Sequence, residues 1–143
     1  MRAALAAEGA LDFWRVAIKP GRPVAMGVVG ATPLMGLPGN PAAVFVTFFA
    51  LARPTIAALA GEVWRAPRPS PVTAGFAYAK KAGRREYVRV SLDDDGVARK
   101  FARDGAGVIA SLTETDGLAV LPEEMTRLAP GERIDFLSYR ALL

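Results

Sequence analysis

The residues best suited to chemistry lie between positions 15 and 41. Arg15, Lys19 and Arg22 cluster around the breaker run Lys19-Pro20-Gly21-Arg22-Pro23. Soon after comes Met35-Gly36-Leu37-Pro38-Gly39-Asn40-Pro41. There an apolar, strand-like run ends in a Pro-Gly turn. Asn40 stands where a helix N-cap belongs, and Pro41 occupies the first helical position. Such a strand, turn and helix start gathers backbone N–H groups at the positive end of a helix dipole. With fixed cations beside it, the arrangement suits an anion, and the ligand class it fits is a phosphorylated small molecule. The same residues also read as ordinary turn and cap chemistry with surface charge, and the pattern alone leaves both readings open.

A second basic group is Arg84, Arg85 and Arg89. Strand spacing puts Arg85 and Arg89 on one face and Arg84 on the other. They form either a basic wall facing the first half or a solvated strand paired with acids across the sheet. Asp93-Asp94-Asp95-Gly96 is expected to be a hairpin turn, because Asp-Gly is a turn dipeptide and no calcium-loop ligand set follows. Gly105-Ala106-Gly107 reads as a small anion nest or a flexible link. Ser111 and Thr113 are expected to be local caps, since no histidine base exists to activate them.

These groups need a scaffold, and composition bounds it. The chain has 143 residues, 52% of them hydrophobic, enough for a real core. It has no cysteine and no histidine. Disulfides, thiolate or imidazole metal sites and Ser-His triads are therefore excluded. The net charge of +4 suits acidic ligands. No basic run is interleaved with aromatics, so nucleic acid is not an expected partner. The first ten residues lack the apolar region of a secretory signal. The run from Ala42 to Ala60 is apolar enough to raise a membrane question. Arg53-Pro54 falls inside it, where a charge is costly and a proline breaks the helical ladder, so it reads as a buried, kinked helix with no membrane.

Residues 2–8 look like the end of a helix closed by Gly9. Strands are expected over Phe13–Ile18, Val24–Val29 and Pro33–Leu37, then the helix from Pro41, stopped by Gly61. Its apolar residues lie on almost every face, which predicts burial on more than one side. Arg65-Ala66-Pro67-Arg68-Pro69-Ser70-Pro71 is a stiff, extended linker. Beyond it the pattern turns to period two, with strands over Val72–Ala79, Tyr87–Leu92, Val97–Ala102, Leu118–Leu121 and Glu132–Tyr139. The expected organisation is an incomplete α/β unit over 1–63, a linker over 64–71 and a small, mostly β domain over 72–143. The first unit's elements are too few to cover both faces of a parallel sheet.

Phe13-Trp14-Arg15-Val16-Ala17-Ile18-Lys19-Pro20-Gly21-Arg22-Pro23, then Gly36-Leu37-Pro38-Gly39-Asn40-Pro41, then Arg53-Pro54, resemble the molybdopterin molybdenumtransferase family (MoeA in bacteria, the gephyrin E domain in animals). Asp116-Gly117-Leu118-Ala119-Val120-Leu121-Pro122 resembles that family's C-terminal domain. The resemblance implies the end of a MogA-like molybdopterin-binding α/β domain followed by a C-terminal β domain. It implies insertion of molybdate into adenylylated molybdopterin with release of AMP, assisted by Mg²⁺. It also implies a cytoplasmic homodimer that takes substrate from an adenylyltransferase. Arg15, Lys19 and Arg89 stand at basic cleft positions, and Arg15 replaces a lysine found in some members. With Arg22, Gly39 and Asn40 they make the expected substrate-binding set. Ala106 stands where the family has a serine. The family's Gly-Gly-Ser-Gly-Asp-like segment is not in this sequence, so no metal ligand is expected in this chain, and the chain alone is expected to be inactive. The alternative is a non-catalytic scaffold, dimerisation or peptide-binding module of gephyrin type.

Overall fold

In the computed structural model, residue 7, residues 9–102 and residues 110–142 are described. The rest of the expected helix end over 2–8, and the Gly105–Gly107 segment, lie outside them. Two compact units meet in sequence between Trp64 and Arg65.

The first unit holds β1 (Ala10–Arg15), β2 (Ile18–Lys19), β3 (Pro23–Val29) and β4 (Thr32–Gly36). A long helix follows, comprising α1 (Pro41–Thr47), a π turn (Phe48–Ala52) and α2 (Arg53–Leu59). Strands β1, β3 and β4 form an antiparallel sheet in that order. The expected parallel arrangement is therefore not what these strands make. Gly30 and Ala31 alone connect β3 to β4, and so short a link permits only a hairpin.

The helix is continuous across Pro54, with a π turn in place of the expected kink. Proline has no N–H and its ring crowds the carbonyl four residues back. The wider turn just before it absorbs that crowding, and the Arg53 N–H reaches the Phe48 carbonyl. Thr55 Oγ1 donates to the Leu51 carbonyl at 2.8 Å, satisfying an acceptor near the break. The Arg53 guanidinium lies 5.2 Å from the Trp64 ring centroid, a cation–π contact. Gly61, at φ +76°, ends the helix, and the Glu62 N–H returns to the Ala57 carbonyl at 2.8 Å.

Burial on several sides of this helix is not observed. Ala42, Ala43, Val46, Phe49, Ala52 and Ala57 are buried, whereas Phe48, Ile56 and Leu59 are 44%, 56% and 65% exposed. Among the described residues, the side bearing Phe48, Ile56 and Leu59 is left open. An apolar groove of about 300 Å³ runs between Met26, Leu34 and Met35 of the sheet and Phe48, Ala52 and Ile56 of the helix. By length and composition alone, Pro41–Leu59 would also suffice to cross a membrane.

The second unit contains β5 (Ser70–Ala74), β6 (Tyr78–Ala79), β7 (Arg85–Leu92), β8 (Val97–Lys100), α3 (Ala110–Thr113), β9 (Gly117–Leu121), β10 (Arg127–Leu128), β11 (Arg133–Ser138) and α4 (Tyr139–Leu142). Five strands run in the order β7-β8-β5-β11-β9, and β9 pairs back onto β7, closing a barrel. Closure leaves no edge among these five strands. Only β5 and β8 pair in parallel. Val88, Val90, Ala98, Ala119, Leu121, Ile134 and Phe136 fill the interior. β6 and β10 make a separate short ribbon, in register Tyr78↔Leu128. β10 is too short and too polar to stand out by pattern.

Two polar devices brace the barrel. The Lys80 ammonium donates to the carbonyls of Pro122 at 2.8 Å, Glu123 at 3.3 Å and Met125 at 2.7 Å, pinning the turn after β9. Glu86, 1% exposed at an inward position of β7, accepts from Tyr78 Oη at 2.8 Å and from Arg84 Nε at 2.7 Å.

Asp93-Asp94-Asp95-Gly96 is the hairpin turn expected. Asp93 Oδ1 accepts from the N–H groups of Asp95 and Val97, and Oδ2 pairs with Arg99 at 2.8 Å. The hydrogen bond from Val97, foremost, and then the Arg99 guanidinium hold the Asp93 carboxyl below its ordinary range. A lowered carboxyl contributes stability above its unfolded titration range and loses it as pH falls through the folded value. Asp93→Asn should therefore be less stable than the parent near neutral pH. The gap should close as pH falls through and below the ordinary carboxylate range, read as denaturant midpoints at the two ends. A gap constant with pH would contradict this.

Candidate functional site

The basic turn is a single loop. Arg15 ends β1 opposite Pro23, and the Val16 N–H closes the loop on the Arg22 carbonyl at 3.0 Å. Lys19 and Arg22 are displayed along it, and Arg15, Lys19 and Arg22 are all exposed. The Lys19–Pro20 peptide is cis. Gly21, at φ +114°, is the contact point with the helix. A Cβ there would lie 2.4 Å from Thr47 Cγ2 and 3.4 Å from the Ala43 carbonyl oxygen. The tertiary fold thus presses the cationic loop against α1 at Ala43 and Thr47.

Asn40 is an N-cap in fact, in extended conformation at φ −88° and ψ 126°. Its Oδ1 accepts from the Ala43 N–H at 3.2 Å, and its carbonyl accepts from Val44 at 2.8 Å. Pro41 has no N–H, so within the first turn only Ala42 is left as a backbone donor. The helix start is a poorer anion cradle than the pattern suggested, and the loop cations carry most of the site's positive charge. Gly39 has neither a positive φ nor an atom within 4 Å of a built Cβ among the described residues. Its lack of a side chain leaves that backbone uncovered, and no packing requirement accounts for it.

The second basic group divides. Arg84 pairs with Glu86, and Arg85 pairs with Glu123 at 3.2 Å. These are structural ion pairs, as the strand-pairing alternative has it. Tyr87, between Arg85 and Arg89 on the same face, has its phenol pushed up, chiefly by burial. Arg89 is set differently. Its Nη1 donates to Ser111 Oγ, and its guanidinium lies 5.6 Å from the Phe101 ring centroid. Ser111, Thr115 and Tyr139 surround it in one hydrogen-bonded set. Ser111 is an acceptor here rather than a cap, while Thr113 Oγ1 does cap back onto the Ala110 carbonyl at 2.9 Å. Sequence reasoning missed Thr115 and Tyr139, which lie remote from Arg89 in the chain and carry no local signal.

The chain thus carries a closed small barrel, preceded in sequence by a hairpin-and-helix unit with a cationic loop. Residues 71–139 match the MoeA C-terminal region (domain IV). That stretch carries the MoeA C-terminal region, and the likeness to MoeA proteins extends over most of the chain. It is 30% identical over 147 residues to the molybdopterin molybdenumtransferase of Haemophilus influenzae, covering 99% of this chain and 36% of that protein. It is 31% identical over 140 residues to the Nostoc enzyme of the same name, covering 91% of this chain and 32% of that protein. Among solved structures, a molybdopterin biosynthesis MoeA protein from Pyrococcus horikoshii superposes with TM-score 0.79 at 24% identity, over 96% of this chain and 34% of that one. A molybdenum cofactor biosynthesis protein from Pyrococcus furiosus gives TM-score 0.72 at 28% identity, over 90% and 45%. The chain therefore spans about a third of the length of the curated relatives it matches.

Proposed function

We propose that this chain is the C-terminal part of a molybdopterin molybdenumtransferase and serves molybdenum cofactor biosynthesis. In this reading its first unit ends a MogA-like domain. Arg15, Lys19, Arg22 and Arg89 hold the oxyanions of adenylylated molybdopterin and molybdate while molybdate enters and AMP leaves. The observation that carries it is the cationic loop pressed onto α1 through Gly21. The family's reaction neutralises charge on phosphate and molybdate oxygens, and fixed cations do that without proton transfer. Mg²⁺ belongs to the same reading. Among the described residues, however, no group of three or more His, Cys, Asp or Glu is placed to hold a metal. The working assembly on this reading is a cytoplasmic homodimer supplied by an adenylyltransferase.

The test is titration of the chain with adenylylated molybdopterin, beside Lys19→Ala and Arg89→Ala. Each substitution should weaken binding by roughly ten- to a hundredfold, as expected for one charge-assisted contact of about 1.5–3 kcal/mol. Lys19→Arg should recover part of the loss, because the guanidinium places its donors differently. The denaturant midpoint of Lys19→Ala should stay near the parent's, since the side chain is exposed. No binding by the parent chain, or unchanged binding by both alanine variants, would refute the assignment. The apolar groove beside Phe48 and Ile56 favours a second reading, a peptide-binding scaffold. Peptide capture without any nucleotide binding would select it.

A further inference from the structure

Arg89 is set among groups that fix its direction. It projects from the face of β7 opposite Val88 and Val90, which are buried in the barrel. Its Nη1 donates to the hydroxyl of Ser111, a side chain with 0% exposure. On another side lies the Phe101 ring, whose own N–H donates to the Arg89 carbonyl at 3.0 Å. Ser111 is anchored in turn, because its carbonyl accepts Thr115 Oγ1 at 2.5 Å. Thr115 has one hydroxyl proton, and that bond uses it. In the 2.8 Å contact between Thr115 Oγ1 and Tyr139 Oη, the phenol is therefore the donor. The hydroxyl of Ser111 thus orients the Arg89 guanidinium.

We propose that Ser111, anchored by Thr115 and Tyr139, is a positioning residue that fixes the Arg89 guanidinium for oxyanion binding. The proposal rests on the reading of Arg89 as an anion-holding residue. A surface arginine loses rotamer freedom when it grips an anion. Here Ser111 and Phe101 impose that loss on folding, so binding does not bear it again.

The test uses the 143-residue chain with inorganic pyrophosphate as probe. The guanidinium ¹⁵N–H signals of Arg89 are recorded in parallel without ligand. In Ser111→Ala, Arg89 Nε–H exchange with solvent should rise severalfold, and pyrophosphate affinity should fall about five- to tenfold, the effect of one oriented contact. Ser111→Thr, which restores the hydroxyl, should regain both. Tyr139→Phe should loosen Arg89 by about a third to a half as much, since it acts through Thr115. It also keeps the proposal testable if Ser111→Ala fails to fold. Unchanged Arg89 exchange in Ser111→Ala and Tyr139→Phe overturns the proposal, as does loosening with unaltered pyrophosphate affinity. If the parent chain binds no pyrophosphate, the anion reading fails instead. The Arg89 signals distinguish that outcome because they need no ligand.

Discussion

Gly21→Val should unfold the first unit. The residue sits at φ +114°, on the side of the Ramachandran map that a β-branched side chain avoids. The added Cβ would lie 2.4 Å from Thr47 Cγ2. Thr47 cannot swing its methyl away cheaply. Its Oγ1 is tied to the Ala43 carbonyl at 2.8 Å and to the Val44 carbonyl at 3.2 Å, and the side chain is fully buried. Strained backbone costs about 1–3 kcal/mol and overpacking a similar amount, so the loss should reach about 3–5 kcal/mol. That is a large share of the about 5–15 kcal/mol that holds an ordinary domain together. Both tryptophans, Trp14 and Trp64, lie in the first unit, so tryptophan fluorescence reports its denaturation separately. Thr47→Ser, which removes the opposing methyl, should return the steric part to Gly21→Ala and leave the backbone part. The loop cations would disperse in Gly21→Val, and the anion binding that they supply should go with the fold. A tryptophan midpoint matching the parent's would show that the loop does not depend on this contact.

The barrel has its counterpart in Glu86. Glu86→Ala should cost the second unit about 2–4 kcal/mol. Three losses combine: a cavity in the interior, a Tyr78 hydroxyl without its acceptor, and an Arg84 guanidinium without its counter-charge. Arg84 is 36% exposed and can turn to water, which keeps the ionic part of the penalty modest. Glu86→Gln preserves volume and one of the two acceptor oxygens, and should cost about half as much. All three tyrosines lie in the second unit, and tyrosine emission with tryptophan excluded follows its unfolding. A Glu86→Ala midpoint unchanged from the parent's would mean that the carboxylate braces nothing. A cost for Glu86→Gln equal to that for Glu86→Ala would assign the effect to the carboxylate's charge and second acceptor rather than to the volume it fills.

Local chemistry in the sequence determined the turns, the cap and most strands. Asn40 before Pro41 favours a helix start, and its side chain does cap Ala43. Asp93 through Gly96 encode a hairpin because the carboxylate and glycine satisfy that turn within a few residues. Alternation over Tyr87–Leu92 located β7 because one face of a barrel strand is buried. The cations at 15, 19 and 22 were legible as a cluster for the same reason, since one short loop holds them.

Tertiary structure decided what depends on partners remote in sequence. Period two marks Arg89 as outward facing, but Ser111, Thr115 and Tyr139 reach it only after β9 closes on β7 and β11 on β9. Glu86 occupies an inward position that a residue-type pattern assigns to an apolar side chain, and only Tyr78 and Arg84 explain it. The helix from Pro41 is apolar on nearly all sides, which predicts burial on more than one side. Ala42, Ala43, Val46 and Phe49 are buried while Phe48, Ile56 and Leu59 stay exposed, because hydrophobicity sets the tendency to be covered while neighbours decide which face is. The sequence placed Gly21 in a turn beside cations. That this glycine also joins the cationic loop to the helix follows from the close approach of Thr47, and no local residue pattern encodes that distance.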